Sequence, residues 1–474
     1  MSTTAGAPTV PETRPADGQW RPKIVALVCN WCTYTGADMA GTSRRTYAPY
    51  VRTIRLLCSG RVDPLLILQA FEQGADAVLV SGCHPGDCHY VQGNLYSRRR
   101  LTVLRSLLDF VGLDQRRLHY AWVSASEGVK WSRLVDEVTA KVREAGPLGQ
   151  WARPAMDAWQ PPFELPEPGP APRPKPAEAE PEAITGHLRE LAARLLDTGQ
   201  VKLVIGHTAG SLPGQMVPSF ARTSQEARLL SWNERCAGNL AVYLPGKLKQ
   251  TGGPVAVVVK SCDARAVAGL LRENQVRRED AVLLGVECAG IWHEERLAAR
   301  CHSCAEAVSP LADWTLTANG TVQGSVPPRN DRAIGPDPRS AQLAVLQERP
   351  AAERREFWQQ EFDRCIRCYA CRAVCPLCYC ASCIADKQRP QWIPTAIDGA
   401  GNMAWNLTRA MHLAGRCIDC DECARACPAD IRLDLLNRAV AGEIADRYGY
   451  QAGADPALAA PLTTFQTDDP DGFL

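Results

Sequence analysis

The sequence lacks several features that would place it in a common functional class. No stretch reaches the roughly 20 consecutive apolar residues that a membrane helix needs, so we predict no direct insertion into a membrane. The 474 residues carry a net charge of only +1, which argues against binding to nucleic acid or to an anionic membrane surface. The chain also has no G-x-G-x-x-G fingerprint, no P-loop and no Ser–His–Asp set. These absences direct attention to the cysteines.

The chain contains 21 cysteines, and they occur in groups rather than as scattered pairs. Residues 1–19 are rich in Thr, Pro and Ala and lack the apolar segment of a signal peptide, so we predict a disordered lead-in and a cytoplasmic location. In a cytoplasmic protein, grouped cysteines indicate metal binding rather than disulfides.

The densest groups are two runs of the form C-x2-C-x2-C-x3-C-P, which is the bacterial ferredoxin pattern for [4Fe–4S] clusters. The first run is Cys365, Cys368, Cys371 and Cys375, and the second is Cys417, Cys420, Cys423 and Cys427. In two-cluster ferredoxins each run supplies three ligands to one cluster, and its last cysteine ligates the other cluster. We therefore assign Cys365, Cys368, Cys371 and Cys427 to one cluster, and Cys417, Cys420, Cys423 and Cys375 to the second. Zinc and disulfides are the alternatives, but zinc sites normally use two C-x2-C pairs.

Residues 20–146 alternate between strand and helix patterns, which predicts a parallel α/β sheet covered on both faces. Strands are predicted at 24–29, 53–57, 77–81 and 117–123, and helices at 63–74, 91–110 and 126–145. Five cysteines follow the first three strands: Cys29, Cys32, Cys58, Cys83 and Cys88. Because open α/β sheets bind ligands beyond the carboxyl ends of their strands, we expect these thiols to gather at one edge. Burial of each as a small apolar residue is the alternative.

The segments CNWCTYTGADMAGTSR, CSGRVDP and GADAVLVSGCHPGDCHYVQGN, at 29–44, 58–64 and 74–94, resemble the delta subunit of methyl-viologen-reducing hydrogenase. This resemblance implies a [2Fe–2S] cluster and electron transfer between a hydrogenase or formate dehydrogenase and a heterodisulfide-reductase-type partner. Such a cluster needs four ligands, so one of the five cysteines is spare, and the sequence does not say which. His84 and His89 are candidate hydrogen-bond donors to sulfur.

Residues 147–184 are rich in proline and are predicted to form a semi-rigid linker, with a proline-rich docking motif as the alternative. Residues 185–345 show a second parallel α/β pattern. Four of their cysteines could hold a further [4Fe–4S] cluster: Cys262, Cys288, Cys301 and Cys304. A zinc site on Cys301 and Cys304 is the alternative, and Cys236 stands alone.

The segments KSCDARAV, GVECAG and CHSC, at 260–267, 285–290 and 301–304, are similar to the beta subunit family of coenzyme F420 hydrogenase and related formate dehydrogenases. This resemblance implies one [4Fe–4S] cluster and, in several members, FAD beside it. GHTAGSLPG at 206–214 is no more than a loose glycine-rich loop after a strand, so the sequence leaves flavin open. Residues 305–350 are loop-rich and suggest no chemistry.

Residues 346–453 are predicted to form a small α+β dicluster ferredoxin domain, followed by a tail at 454–474 without a site. Three further cysteines lie between the two runs: Cys378, Cys380 and Cys383. They could ligate another cluster together with Cys236 or a different distant group, or they could be packing cysteines.

We therefore predict an electron-transfer subunit of an oxidoreductase complex rather than a stand-alone enzyme. Its expected partners are a hydrogenase or formate dehydrogenase catalytic subunit and a heterodisulfide-reductase-like subunit. The alternatives are a flavin-containing subunit that exchanges hydride with F420 or NAD(P)H, and a structural zinc scaffold. Trp31, Arg44, Arg45 and Tyr90, in or beside the first cysteine loops, are candidates for the partner interface, although Trp31 could instead shield a cluster from water.

Overall fold

The computed structural model describes residues 20–151, 161–326 and 333–470. The predicted lead-in at 1–19, residues 152–160 of the predicted linker and the last four residues of the tail lie outside the described residues. The chain divides into two compact units. Of the described residues, unit 1 comprises 20–98, 114–151 and 470, and unit 2 comprises 99–113, 161–326 and 333–469.

Unit 1 is built on a four-stranded parallel sheet with the strand order β2-β1-β3-β4. The elements are β1 Ile24–Cys29, α1 Thr33–Thr42, β2 Val51–Leu56, α2 Pro64–Glu72, β3 Ala77–Gly82, α3 Gly93–Phe110, β4 Leu118–Trp122 and α4 Gly128–Ala145. Helix α3 continues past Arg98, where the division into units falls. The predicted α/β class and parallel sheet are confirmed in this unit.

Local sequence explains most of these boundaries. Asp63 caps α2 by accepting a hydrogen bond from the amide of Leu65, and Pro64 occupies the first helical position, where its missing N–H costs nothing. Helix α1 was not predicted, because its sequence TYTGADMAGT has little apolar periodicity. It packs on α4 through small residues, and an added Cβ at Gly128 would lie 2.9 Å from the amide nitrogen of Ala40.

Unit 2 contains a six-stranded sheet with the order β12-β11-β8-β7-β5-β6. The elements up to this sheet's last strand are α5 Ala179–Asp197, β5 Leu203–Ala209, β6 Met216–Ala221, α6 Ser224–Ala227, α7 Leu244–Thr251, β7 Val255–Val259, α8 Ser261–Arg272, β8 Ala281–Val286, β9 Trp292–His293, β10 Arg296–Leu297, α9 Ala299–His302, β11 Trp314–Thr317 and β12 Gly320–Gln323. The interior strands are parallel as predicted, but the edge strands β6 and β12 pair antiparallel, so the sheet is mixed. Strand β6 contains Pro218 and is mostly half-buried, and β12 is largely exposed, which weakens the apolar strand signal of both in the sequence.

The cysteine-rich C-terminal part of unit 2 is mainly helical. Its helices are α10 Pro338–Glu348, α11 Ala351–Asp363, α12 Ala370–Ala373, α13 Gly399–His412, α14 Glu422–Arg425 and α15 Leu433–Tyr448. Helix α10 lies in the region predicted to be loop-rich. Between residues 346 and 453, all of which are described, β-pairing is limited to one isolated bridge between Gln388 and Gln391. Helix α13 is buried along most of its length and forms the core of this part.

Two segments predicted to be peripheral pack within unit 2. In the proline-rich segment, Arg173 donates hydrogen bonds to the carbonyls of Ala289, Ala333 and Cys301. In the tail, Asp469 forms a buried ion pair with Arg99 at 2.5 Å. The described part of the proline-rich segment is therefore anchored to the unit rather than free as a spacer. No helix among the described residues is long and apolar enough to cross a membrane.

Candidate metal centres

Five thiols meet at the carboxyl edge of the unit 1 sheet, as the strand pattern predicts. Four are buried and the fifth, that of Cys32, packs against them; the group is Cys29, Cys32, Cys58, Cys83 and Cys88. The strand order reverses between β1 and β3, which are neighbours in the sheet although they are separated in sequence. Crevices at such reversal points are where open α/β sheets bind ligands. Cys29 ends β1 and Cys83 follows β3, so the topology places both thiols in that crevice.

The sulfur atoms of Cys29 and Cys83 lie 3.7 Å apart, within hydrogen-bonding distance for a thiol and a thiolate. The hydrogen bond with Cys83 lowers the pKa of Cys29 to about 6, and the same bond raises the pKa of Cys83. Burial raises the pKa of Cys58 to about 11. Cysteines bind metals as thiolates. A metal centre bound here would therefore take the place of the protons on these buried thiols.

Gly93 keeps space open beside two of these thiols. A Cβ at this position would lie 2.5 Å from the sulfur of Cys58 and 3.7 Å from the sulfur of Cys88. Any larger residue at the start of α3 would therefore displace the Cys58 thiol. The next residue, Asn94, donates from its side chain to the carbonyls of Cys83 and His84 and fixes the loop after β3.

Aromatic side chains form the rim of this site. The ring of Trp31 stacks on the ring of His89 with centroids 3.9 Å apart, and its indole N–H donates to the hydroxyl of Tyr90 at 3.4 Å. Trp31 is 42% exposed and Tyr90 is 48% exposed, so both rings face solvent as well as the loop. His84 pairs with Glu127 at 2.7 Å. The structure thus gives the two predicted sulfur donors, His84 and His89, other contacts.

The two ferredoxin runs have the same backbone conformation. The second and fourth residues after the first cysteine have a positive φ in each run: Arg367 (49°) and Tyr369 (58°), then Asp419 (58°) and Asp421 (53°). A short helix, α12 or α14, follows at the same position and carries the third cysteine. Left-handed conformations are uncommon for residues other than glycine and cluster at functional sites. The repetition therefore indicates that both loops are shaped for the same ligand.

Neighbouring elements hold these strained loops in place. The side chain of Asn402 on α13 donates to the carbonyls of Phe362 and Cys365 and accepts a hydrogen bond from Arg367. In the second run, Arg339 binds the carboxylate of Asp419 at 2.8 Å. The backbone amides of Arg367 and Asp419 point at the thiols of the first cysteine of their own runs, as they would toward a cluster ligand.

One cavity is lined by the four cysteines assigned to the second cluster, which are Cys375, Cys417, Cys420 and Cys423. Of the cysteines assigned to the first cluster, Cys365 and Cys371 are buried and Cys368 is exposed. Burial raises the pKa of Cys365, and the negative charge of Cys427 adds to that rise. The exchange of fourth ligands between the runs remains a prediction that this placement supports.

Polar atoms around the runs also fit an anionic cluster. Asn437 donates from its side chain toward the sulfur of Cys423 at 3.5 Å. Among the described residues, the buried Nε of Arg409 has no hydrogen-bond partner. A buried donor without a partner is costly, and a cluster with its sulfides and thiolates would provide an acceptor there.

The middle cysteines are only partly brought together. Cys262, Cys301 and Cys304 line one cavity, which Cys417 of the second run also reaches. Cys288 lines a different cavity. It is still near Cys262: burial is the main cause of the raised pKa of Cys262, and the charge of Cys288 adds to it. The predicted set of four is thus close in space, with three members facing a shared opening.

Arg300 connects this middle group to the second run. Its guanidinium donates to the carbonyl of Cys420 and binds the carboxylate of Asp421. It lies next to Cys301 in sequence on α9 and its side chain is only 5% exposed. No sequence motif marks Arg300, because its contacts join positions more than a hundred residues apart.

The remaining cysteines lie in different surroundings. Cys236 is buried and accepts a hydrogen bond from the amide of Asn233, and burial raises its pKa to about 12. Cys378 is hydrogen-bonded to Cys375, which lowers the pKa of Cys378, whereas Cys380 is exposed and Cys383 is half-buried. These neighbours give no support to a cluster shared by Cys236 and Cys378.

Across residues 20–151, 161–326 and 333–470, no three His, Cys, Asp or Glu side chains converge tightly enough to hold a single metal ion.

Together, the repeated loops and their cysteines define a dicluster ferredoxin domain in the C-terminal part of the chain. A family model described as "4Fe-4S dicluster domain" matches residues 364–432, which confirms the predicted dicluster domain and its two [4Fe–4S] clusters. A second model, "Methyl-viologen-reducing hydrogenase, delta subunit", matches residues 24–146.

Individual proteins are also similar to this chain over its N-terminal region. The vhc iron-sulfur subunit of the F420-non-reducing hydrogenase of Methanococcus voltae is 49% identical over 128 residues, which are 27% of this chain and 89% of that protein. The iron-sulfur subunit of the F420-non-reducing hydrogenase of Archaeoglobus profundus is 47% identical over 27% of this chain and 95% of its own length. Through its N-terminal region the chain belongs to the methyl-viologen-reducing hydrogenase delta subunit family, as the sequence motifs predicted.

The same region also matches part of a longer protein. Over 128 residues it is 44% identical to one subunit of the ferredoxin/F(420)H(2)-dependent CoB-CoM heterodisulfide reductase of Methanosarcina acetivorans. The match covers 27% of this chain and 16% of that subunit. One chain in a solved structure of the F420-reducing [NiFe] hydrogenase complex from Methanosarcina barkeri can be superposed on part of this chain. The superposition covers 38% of this chain and 88% of the other, with a TM-score of 0.25 and 13% sequence identity. That likeness is too distant to support an argument, so the resemblance of the middle region to the F420 hydrogenase beta subunit stays a prediction.

Proposed function

We propose that this chain is an electron-transfer subunit that passes electrons between a hydrogenase or formate dehydrogenase catalytic subunit and a heterodisulfide-reductase-like subunit. The observation that carries the proposal is the shared cavity in unit 2, where Cys262, Cys301 and Cys304 face the same opening as Cys417. Clusters held at adjacent sites in one chain can relay single electrons.

In this proposal the chain holds two [4Fe–4S] clusters in its ferredoxin runs, a further [4Fe–4S] cluster in the middle region and a [2Fe–2S] cluster in unit 1. The last rests on the five thiols at the sheet edge, one of which is spare. The relatives support the partner assignment, because the N-terminal region occurs both as a hydrogenase iron-sulfur subunit and within a heterodisulfide reductase subunit. We expect the complex to be cytoplasmic.

Anaerobic purification with iron analysis and electron paramagnetic resonance tests this proposal. The expected result is about 14 iron atoms per chain, from three cubanes and one two-iron cluster. Recovery of only the eight or so that two cubanes require would contradict the middle and N-terminal sites. Flavin extraction from the same sample decides whether FAD is bound, which remains a prediction from the middle-region resemblance.

Arg44 and Arg45 are proposed as part of the partner interface. Both are exposed, and arginine is enriched at interfaces. They follow the C-terminal end of α1, whereas the thiols and the aromatic rim lie at its N-terminal end. The double change of Arg44 and Arg45 to Gln should weaken co-purification of the partner while the unit 1 cluster spectrum is preserved. The same change at Arg133, an exposed arginine of α4, is the matched control. Normal partner reduction by the double variant would place the interface elsewhere.

A further inference from the structure

A buried arginine lies between the two ferredoxin runs. Arg409, near the end of α13, is 4% exposed and donates from Nη2 to the carbonyl of Cys371 at 2.9 Å. It also lines the cavity formed by Cys375, Cys417 and the rest of the second group. One guanidinium therefore contacts the third cysteine of the first run and the ligand cavity of the second.

The charge of Arg409 is balanced mainly by sulfur. Burial opposes a charged guanidinium, but the thiolates of Cys423, Cys375, Cys378 and Cys371 raise the pKa of Arg409 well above its ordinary value. Arginine stays protonated in proteins, so the positive charge is permanent. Its Nε has no partner among the described atoms, which leaves one donor available to a cluster.

We infer that Arg409 is a positioning residue that raises the reduction potential of both ferredoxin clusters. This inference rests on the proposed function, since it requires clusters in both runs. When bound, the clusters supply the one-electron carriers. Each reduction adds one negative charge at a cluster, and a fixed positive charge nearby favours the reduced state. Because the guanidinium contacts both sites, its removal should lower both potentials.

The test is an anaerobic redox titration of the full chain, monitored by electron paramagnetic resonance, for wild type, Arg409→Met and Arg409→Lys. In Arg409→Met we expect the ratio of reduced to oxidised cluster, at a fixed potential, to fall at least tenfold for both clusters, which is a shift of about 59 mV for one electron. Arg409→Lys keeps the charge and should remain close to wild type. Arg277→Met is the control, since that side chain is 72% exposed and pairs with Asp280 at 2.7 Å.

Several outcomes decide the inference. Unchanged potentials in Arg409→Met, with both clusters in place, would overturn it without affecting the proposed function, because the iron content would still be that of an electron carrier. A loss of iron from Arg409→Met but not from Arg409→Lys would support the requirement for charge. A loss of iron from both variants would overturn the inference, since the site would then need the shape of arginine. Wild-type protein without clusters in its runs would instead contradict the proposed function.

Discussion

The pH dependence of stability should reveal the environment of one buried histidine. His207 on β5 is 3% exposed, and neither ring nitrogen has a hydrogen-bond partner among the described residues. Burial, aided by the positive charge of Lys260, lowers the pKa of His207 from 6.5 to about 3. The folded chain therefore keeps this ring neutral in a pH range where the unfolded chain protonates it.

The sign and size of the effect follow from linkage. Since the folded-state pKa is lowered, the unfolded state binds more protons between pH 6.5 and 3, and stability falls as the pH drops through that window. At pH 5.5 the unfolded side chain, at its ordinary pKa, gains about 1.4 kcal/mol from protonation, whereas at pH 7.5 it gains less than about 0.1 kcal/mol. His207 should thus contribute a loss of about 1.4 kcal/mol between these two pH values.

The assay is urea unfolding of wild type and His207→Leu at pH 7.5 and pH 5.5. Leucine is similar in volume and does not titrate, so the difference in unfolding free energy between the two chains should change by about 1.4 kcal/mol with pH. The same substitution at the exposed His412 controls for the loss of a histidine in general. Parallel pH profiles for wild type and His207→Leu would refute the reasoning.

Three further predictions concern the clusters and the anchored tail. Cys368→Ser should remove one of the two electron paramagnetic resonance signals of the reduced [4Fe–4S] clusters. Cys427→Ser should damage the same cluster, because the runs exchange their fourth ligands. Unchanged spin integration would contradict the assignment. Residues 1–146 expressed alone should retain about two iron atoms per chain, and a folded but iron-free fragment would count against a [2Fe–2S] site there. Asp469→Asn leaves the buried Arg99 without its ion-pair partner and should cost about 3–5 kcal/mol of stability, measured by denaturant unfolding.

Features that depend on neighbours in sequence could be predicted from the sequence. The spacing within each ferredoxin run is a local property of one loop, so the two runs were enough to identify the dicluster domain. Buried strands such as β1 and β3 are short apolar runs bounded by turn residues, and their periodicity indicates a covered parallel sheet. The alternation of strands with helices then placed the five N-terminal thiols at one edge.

Features that depend on distant parts of the chain were decided only by the tertiary structure. Strand β6 is interrupted by Pro218, and β12 has only four residues and is largely exposed, so the pairing direction of both edge strands is set by the sheet they join rather than by their own pattern. The proline-rich segment has the composition of a spacer, yet Arg173 anchors it through three carbonyl groups that lie more than a hundred residues further along the chain. Arg409 has no sequence motif at all. Its importance arises because helix packing buries one charge between two loops, and in the low-dielectric interior that charge acts strongly on both.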